Sequence, residues 1–577
     1  MQRSYFIDFV KGFSIVAIIL YHCGLLPNGY LGVDIFLVVA GYLTTKSILG
    51  SFERNDFTYK KFLENRLLRL WPLLLLVCAV SLLAGYFLML PENFENTCET
   101  VVGTSGLFNN FVQYITSGNY WDQSNDYKPL MHTWYVGLIV QFYMVFPLVF
   151  ILSRRYSHRV KDGYTYFLLL LFFISLACYI LPGLSVAAKF YFLPARLFEF
   201  ISGGLVFLWG WNGNDDRQRS LVKTIAIVSF AFLFLLLVTD FSIGDKQTRL
   251  LLVVFFSTLL LFLNTGYSFH VKHSFVVILG KASYSLFLWH QVVLAFYRYV
   301  ITPDFTIADY VISLTISLLI GLLSYKFIEQ GIDSNLKRYA STNKAVLLSC
   351  VCVTICLMGF SCWGYKLHGV VRDVPELDVS VSGMNVDPIE YNARNDAYNK
   401  DFVQNGKPNV LVIGDSFGRD WINVLRESEV GQMINISFYR EPDSIAVRRV
   451  REANCVFIAN NAPFDKYYKL LPYLSHKRFY RVGHKRFGKC IGIYYTHRRD
   501  SFYYKQTFKY DTALNEEEKK VFGANFVDIM QAIRNHDGTY PVFTQDHKFF
   551  SHDCIHLTKA GAKQIAHKLN VRELIGL

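Results

Sequence analysis

The stretch VKGFSIVAIILYHCGLL, residues 10–26, is mostly apolar and carries Lys11 near one end and His22 near the other. An α-helix turns once per 3.6 residues and rises 1.5 Å per residue, so this 11-residue step is about three turns and about 16 Å. Both side chains therefore share one helical face. Ionisable side chains in a membrane span are costly and mark function by default. The alternative is a snorkelling lysine and an interfacial histidine. Gly24-Leu25-Leu26-Pro27 runs straight into the next apolar stretch without a small-residue cleavage site, so the segment reads as a retained span rather than a signal peptide.

Working outward, 52% of the 577 residues are hydrophobic and the mean hydropathy is +0.26. Eleven apolar runs recur, at about 10–26, 32–50, 70–90, 133–152, 164–182, 191–211, 221–239, 249–264, 275–299, 308–328 and 345–365. Runs of about 20 residues match the thickness of a bilayer. The net charge of +13 could suggest nucleic acid, but its distribution points to a membrane partner and to no nucleic acid. Arg54, Lys60, Lys61, Arg66 and Arg69 follow the second run. Arg154, Arg155, Arg159 and Lys161 follow the fourth, and Lys337, Arg338 and Lys344 the tenth. The loop after the third run instead holds Glu92, Glu95, Glu99, Asp122 and Asp126 against Lys128. The positive-inside rule then puts the N-terminus in the cytoplasm. Eleven crossings put everything after about residue 366 outside, which in a bacterium is the periplasm or outer surface.

The eleven cysteines are scattered and none has zinc-ligand spacing. Cys98, Cys455, Cys490 and Cys554 are expected on the oxidising side, where a disulfide could form, with its pairing left open. No metal ligand set and no bound cofactor is expected.

The chain divides into a membrane part of ten spans (1–335), an eleventh span (336–366), a polar linker (367–407) and an α/β domain (408–577). In the last, residues 409–413 (NVLVI), 433–438 and 455–459 read as strands. Residues 418–425 and 558–569 read as helices. Strands alternating with helices favour a parallel sheet. Gly414-Asp415-Ser416 turns off the first strand and exposes a serine at a helix N-terminus, where backbone amides can stabilise an oxyanion. Asp553 stands three residues before His556, a spacing at which a carboxylate can orient an imidazole that deprotonates the serine.

Further motifs stand in order along the membrane part: Gly32-Val33-Asp34-Ile35-Phe36, Gly41-Tyr42-Leu43, Arg66-Leu-Leu-Arg69, His132-Thr-Trp134 with Gln141-Phe-Tyr143, Arg196-Leu-Phe-Glu199, Ser283-Tyr284-Ser285 with Trp289-His290, and Ser324-Tyr325-Lys326 with Glu329. Together they resemble the acyltransferase 3 family of membrane O-acyltransferases over nearly all of residues 5–330. The resemblance implies transfer of an acyl group, usually acetyl, from cytoplasmic acyl-CoA across the membrane to an envelope glycan or small molecule. Family members carry an Arg, ten residues, then a His. Here Lys11 and His22 stand in those places, with His22 in the position of the histidine of acyl transfer and Lys11 nearer the CoA end. Arg66 and Arg69 match the cytoplasmic Arg pair, suited to CoA phosphates because guanidinium groups clamp phosphate. Plain positive-inside topology would also place them there. This sequence departs from the family at Lys11 and at Gly137, Ile139 and Val140, where a Ser and two Glu are usual. Arg196 and Glu199 are spaced to pair with each other.

The C-terminal part resembles an SGNH/GDSL hydrolase-type domain, with Ser416 as nucleophile, His556 as base and Asp553 as its orienter. The resemblance places an oxyanion-hole Asn at the end of the strand 455–459, at Asn461 in preference to Asn460. It leaves no clear glycine for the second block. The two resemblances together imply an inner-membrane enzyme that takes acetyl from acetyl-CoA and delivers it through Ser416 to an envelope polysaccharide. Lipopolysaccharide O-antigen or exopolysaccharide comes first, then peptidoglycan. A membrane-anchored glycan acetyl esterase and a non-enzymatic acyl or glycan transporter are the alternatives.

Overall fold

The computed structural model describes residues 5–116, 125–156, 160–210, 216–239, 245–264, 274–331, 340–382, 388–461 and 464–577. Asp122, Arg159, Lys337, Arg338 and the boundary expected at 335/336 lie outside them. The chain forms two compact units, residues 1–87 with 93–366, and residues 88–92 with 367–577.

The first unit is helical: α1 Tyr5–His22, α2 Gly32–Glu53, α3 Tyr59–Leu88, α4 Pro91–Ser105, α5 Asn109–Thr116, α6 Trp134–Tyr156, α7 Val160–Ile180, α8 Val186–Tyr191, α9 Leu193–Trp209, α10 Asp216–Val238, α11 Lys246–Asn264, α12 Phe275–Lys281, α13 Ser283–Val300, α14 Ile307–Ser324 and α15 Ala340–Lys366. Among the described residues, ten stretches are long and apolar enough to cross a membrane, and an eleventh is the pair α12 and α13, bent by 84°. The apolar run at 275–299 is thus a broken span rather than a straight one. Gly280 accounts for part of this, because a β-carbon there would lie 1.6 Å from the Asp8 carbonyl oxygen of α1. The missing side chain lets α12 cross α1 at contact distance. The amphipathic helices α4 and α5, in the acidic loop, were not legible from the apolar pattern.

The second unit contains β1 Asn409–Gly414, β2 Asn435–Tyr439, β3 Cys455–Ala459, β4 Arg478–Val482, β5 Thr507–Phe508, β6 Phe526–Val527 and β7 Tyr540–Pro541. Five strands form one parallel sheet in the order β2-β1-β3-β4-β6. Val410, Leu411, Val412 and Ile413 are all fully buried, the continuous apolar run expected of a central parallel strand covered on both faces. The stretch 367–407, expected to be a linker, supplies Val374, Leu377, Val379 and Tyr391 to this unit's core. Its polar surface pattern hid a segment that folds against the sheet rather than spanning a gap. All eleven cysteines are free.

Candidate functional site

In the membrane unit, one cavity of about 120 Å³ brings together Lys11 of α1, Arg66 and Arg69 of α3, Tyr135, Ile139 and Tyr143 of α6, and Tyr284 and Phe287 of α13. Lys11 Nζ lies 2.9 Å from Asp8 Oδ1, one turn earlier on the same helix. The Arg66 guanidinium sits over the rings of Phe62 and Tyr143, at 5.1 and 5.0 Å. Arg69 lies 3.7 Å from Glu329, whose other oxygen accepts from the Ser285 hydroxyl at 2.8 Å. Glu329 is carried by a π-helical turn, Tyr325–Glu329, that closes α14; such turns are frequent at functional sites. The three cations therefore share one cavity rather than being scattered over a membrane face. Ile139, where the resemblance implies a carboxylate, contributes an apolar side chain to that cavity.

His22 is not in this cavity. It stands at the other end of α1, with its ring 5.2 Å from that of His290, which in turn lies 5.2 Å from that of His132. His132 and His290 are buried and His22 half-buried. Arg298 donates to the His22 carbonyl oxygen at 2.5 Å. Nδ1 of His290 lies 2.7 Å from the Phe287 carbonyl oxygen, and among the described residues Nε2 has no hydrogen-bond partner. Phe287 lines the cavity and its ring is 5.0 Å from that of His132. Cavity and histidines thus adjoin across one aromatic side chain. His132 and His290 escaped the sequence reading as a cluster because they lie on α13 and on the turn before α6, far apart in the chain. Their signal in the sequence was the pair of motifs His132-Thr-Trp134 and Trp289-His290.

Arg196 pairs with Glu199 at 3.2 Å, as their spacing predicts, and also with Asp34 of α2. All three are buried, and a buried charge persists only when paired. Gln141 donates to Asn110 Oδ1 at 2.8 Å and fastens α6 to α5.

In the second unit, Ser416 Oγ–H donates to His556 Nε2 at 3.0 Å, and His556 Nδ1–H donates to Asp553 Oδ2 at 2.5 Å. Asp553 Oδ1 accepts from the backbone amides of Ile555 and His556 at 2.8 and 2.6 Å. Burial alone would push the Asp553 carboxyl up, but His556, His552 and these hydrogen bonds outweigh it and hold the group well below the usual carboxylate range. The serine is placed by its turn. Asp415 caps the helix Ser416–Glu427 by accepting from Phe417 N at 2.9 Å, and its other oxygen accepts from Asn461 N at 2.9 Å. Gly414 is obligatory, since a β-carbon there would lie 1.7 Å from the Ala459 carbonyl oxygen.

Asn460 is buried, with Oδ1 accepting from Arg481 at 2.8 Å. Asn461 is exposed beside the serine turn, with its backbone amide donating to Asp415. The turn after β2 begins with Arg440, which pairs with Asp396 at 2.9 Å, so no glycine stands there. The sequence reading missed a supporting network. Asp420, one turn after Ser416, accepts from Asn392 at 2.6 Å, Leu557 N at 3.2 Å and Lys485 at 2.7 Å. Lys485 also donates to the Ile555 carbonyl oxygen at 2.7 Å. The nitrogens of His552 and His556 and the Asp553 carboxylate lie within 4.8 Å of one another. Asp553 and His556 share a hydrogen bond, and His552 bonds Glu92 at 2.7 Å.

A multi-pass helical unit with a cationic cavity, followed by a parallel α/β unit with a Ser–His–Asp series, defines a membrane protein equipped for acyl chemistry. Residues 4–326 match the acyltransferase domain of the acyltransferase 3 family, and the chain belongs to that family. It is 27% identical over 351 residues to the O-acetyltransferase OatA of Staphylococcus aureus strain NCTC 8325 / PS 47, and equally to the protein of that name from strain COL. Each match covers 56% of this chain and 56% of the relative, so the chain spans little more than half the length of the curated relatives it matches. No solved structure matches the chain.

Proposed function

We propose that the chain is a bacterial inner-membrane O-acetyltransferase that acts on a cell-envelope polysaccharide. The observation that carries the reading is a hydrogen-bonded Ser416, His556 and Asp553 on the same chain as an acyltransferase domain. The naming of the OatA relatives as O-acetyltransferases supports acetyl as the acyl group. In this reading the N-terminus is cytoplasmic, eleven crossings carry the C-terminal unit outside, and that unit is an SGNH-type domain. Lys11, Arg66 and Arg69 hold the phosphates of acetyl-CoA, as cations suit polyanionic groups. His22, with His132 and His290 beside it, serves the acyl passage as a base or transient carrier, because imidazole exchanges protons near neutral pH.

At the outer site Ser416 Oγ attacks the acetyl carbonyl and gives its proton to His556 Nε2. The bond to the donor breaks, and the donor leaves with that proton. An acceptor sugar hydroxyl then attacks the serine ester, its proton passes to His556 and on to Ser416, and the acetylated sugar departs. One difficult transfer becomes two easier ones. The Ser416 amide and Asn461 supply the oxyanion donors.

NMR of envelope polysaccharide from wild-type and deletion strains tests this. O-acetyl methyl signals vanish on deletion and return with the intact gene but not with His22→Ala. Unchanged spectra in every glycan fraction overturn the reading. Arg66→Ala and Arg69→Ala each raise the KM for acetyl-CoA by about 10–100-fold, the size of one charge-assisted hydrogen bond of about 1.5–3 kcal/mol. An unchanged KM would reduce both to topology signals.

A further inference from the structure

We propose that Glu92 and His552 are positioning residues for the Ser416–His556–Asp553 series, so that the short segment Leu88–Glu92 completes the outer site. The proposal rests on Ser416 as the nucleophile. In chain order the segment runs from the last residue of α3 into the first turn of α4, yet it belongs to the same compact unit as residues 367–577. Three contacts hold it there. Leu90 is 1% exposed and sits in the core that contains Val374 and Phe549. The Arg372 guanidinium donates to the Met89 carbonyl oxygen and, at 3.2 Å, to the Tyr495 hydroxyl. Glu92 Oε2 lies 2.7 Å from His552 Nδ1.

His552 is buried, and its ring lies 6.0 Å from that of His556 at an interplanar angle of 25°. Among the described residues its Nε2 has no hydrogen-bond partner. The groups that face His552 are Glu92, Asp553, Asp420 and His556. Glu92 and His552 share a proton, and the three carboxylates favour its residence on the imidazole. Burial alone would strip that proton, but Asp553, Glu92 and Asp420 outweigh it and hold His552 protonated up to about 9. A fixed cation beside Asp553 holds that carboxylate aligned on His556, and Glu92 keeps the cation in place. Glu92→Gln retains a hydrogen-bonding side chain and removes the anion, so His552 gives up its proton at lower pH.

The test is hydrolysis of 4-nitrophenyl acetate by the full-length chain in detergent, followed from about pH 6 to about pH 10. Wild-type activity falls through an alkaline limb near pH 9, where His552 deprotonates. Glu92→Gln moves that limb down by roughly 1–3 pH units, and Glu92→Asp moves it less. An unmoved limb, or an equal loss at every pH as simple misfolding gives, overturns the proposal. Ser416→Ala runs beside it. If Ser416→Ala is dead and the Glu92→Gln limb stays, this proposal alone fails; if hydrolysis survives Ser416→Ala, the nucleophile reading fails and takes the proposal with it.

Discussion

Ser416→Ala abolishes O-acetylation of the envelope glycan and lowers hydrolysis of a soluble acetyl ester by about 10³–10⁶-fold. The range follows from what loss of a serine nucleophile costs in enzymes with this hydrogen-bonded series. The geometry supports the upper part of it. The Oγ–Nε2 distance is 3.0 Å and the Nδ1–Oδ2 distance 2.5 Å, so base and orienter are already engaged. Ser416 is 3% exposed, so bulk water has little access to replace it. His556→Ala costs about as much, and the double variant is no worse than either, because groups that act as one unit lose their function once. Asp553→Asn costs about 10–100-fold less than the loss of the serine. Measuring glycan acetylation and ester hydrolysis side by side separates the two units. His22→Ala stops the first, while Ser416 continues to cleave a soluble ester. Equal loss of both activities in His22→Ala would remove the division of labour, and full hydrolysis in Ser416→Ala would remove the serine from the chemistry.

How far the sequence showed this site depends on the range of the interactions that build it. α1 was legible because its signal is local: an apolar period and an 11-residue step put Lys11 and His22 on one face. β1 and the serine turn were legible for the same reason, since a buried strand and a Gly-Asp-Ser turn occupy adjacent residues. Arg196 with Glu199 could be paired from spacing, but the third member, Asp34, stands 162 residues away. The bend between α12 and α13 was missed, although Gly280-Lys281-Ala282-Ser283 interrupts the apolar run at that point. Residues 367–407 read as a linker because they carry little helical period. Their hold on the unit is partly polar: Asn392 and Asn395 donate into the serine helix at Asp420 Oδ1 and the Arg419 carbonyl oxygen, at 2.6 and 2.9 Å. Composition cannot foresee a satisfied polar network, because the same asparagines would equally suit a solvated loop.

Within that network the largest expected effect on stability falls on Lys485. Its ammonium is 2.7 Å from Asp420 Oδ2 and 2.7 Å from the Ile555 carbonyl oxygen, and it lies 3.7 Å from the centre of the Phe417 ring. Both charged side chains are 1% exposed. Lys485→Met keeps the aliphatic stem and strands Asp420 without its counter-charge. Breaking one member of a buried ion pair costs about 3–5 kcal/mol, far above the 0–1 kcal/mol of an exposed pair. For a unit of roughly 200 residues that lowers the apparent Tm by about 6–20 °C. Asp420→Ala costs at least as much, since Asn392, Leu557 N and Lys485 all lose one acceptor. The double variant Lys485→Met with Asp420→Ala is less damaging than the sum of the singles, because neither charge is then left alone. The effect reaches the chemistry as well. Asp420 belongs to the serine helix, while Ile555 and Leu557 flank His556, so the pair sets the spacing between Ser416 and His556. A variant rescued thermally by low temperature should therefore still hydrolyse esters slowly, with kcat reduced more than KM is raised. Melting of the full-length chain, followed by hydrolysis well below the transition, checks both parts. An unchanged Tm in Lys485→Met would mean that solvent reaches Asp420, and a normal kcat in the folded variant would mean that Ser416 and His556 keep their register without the pair.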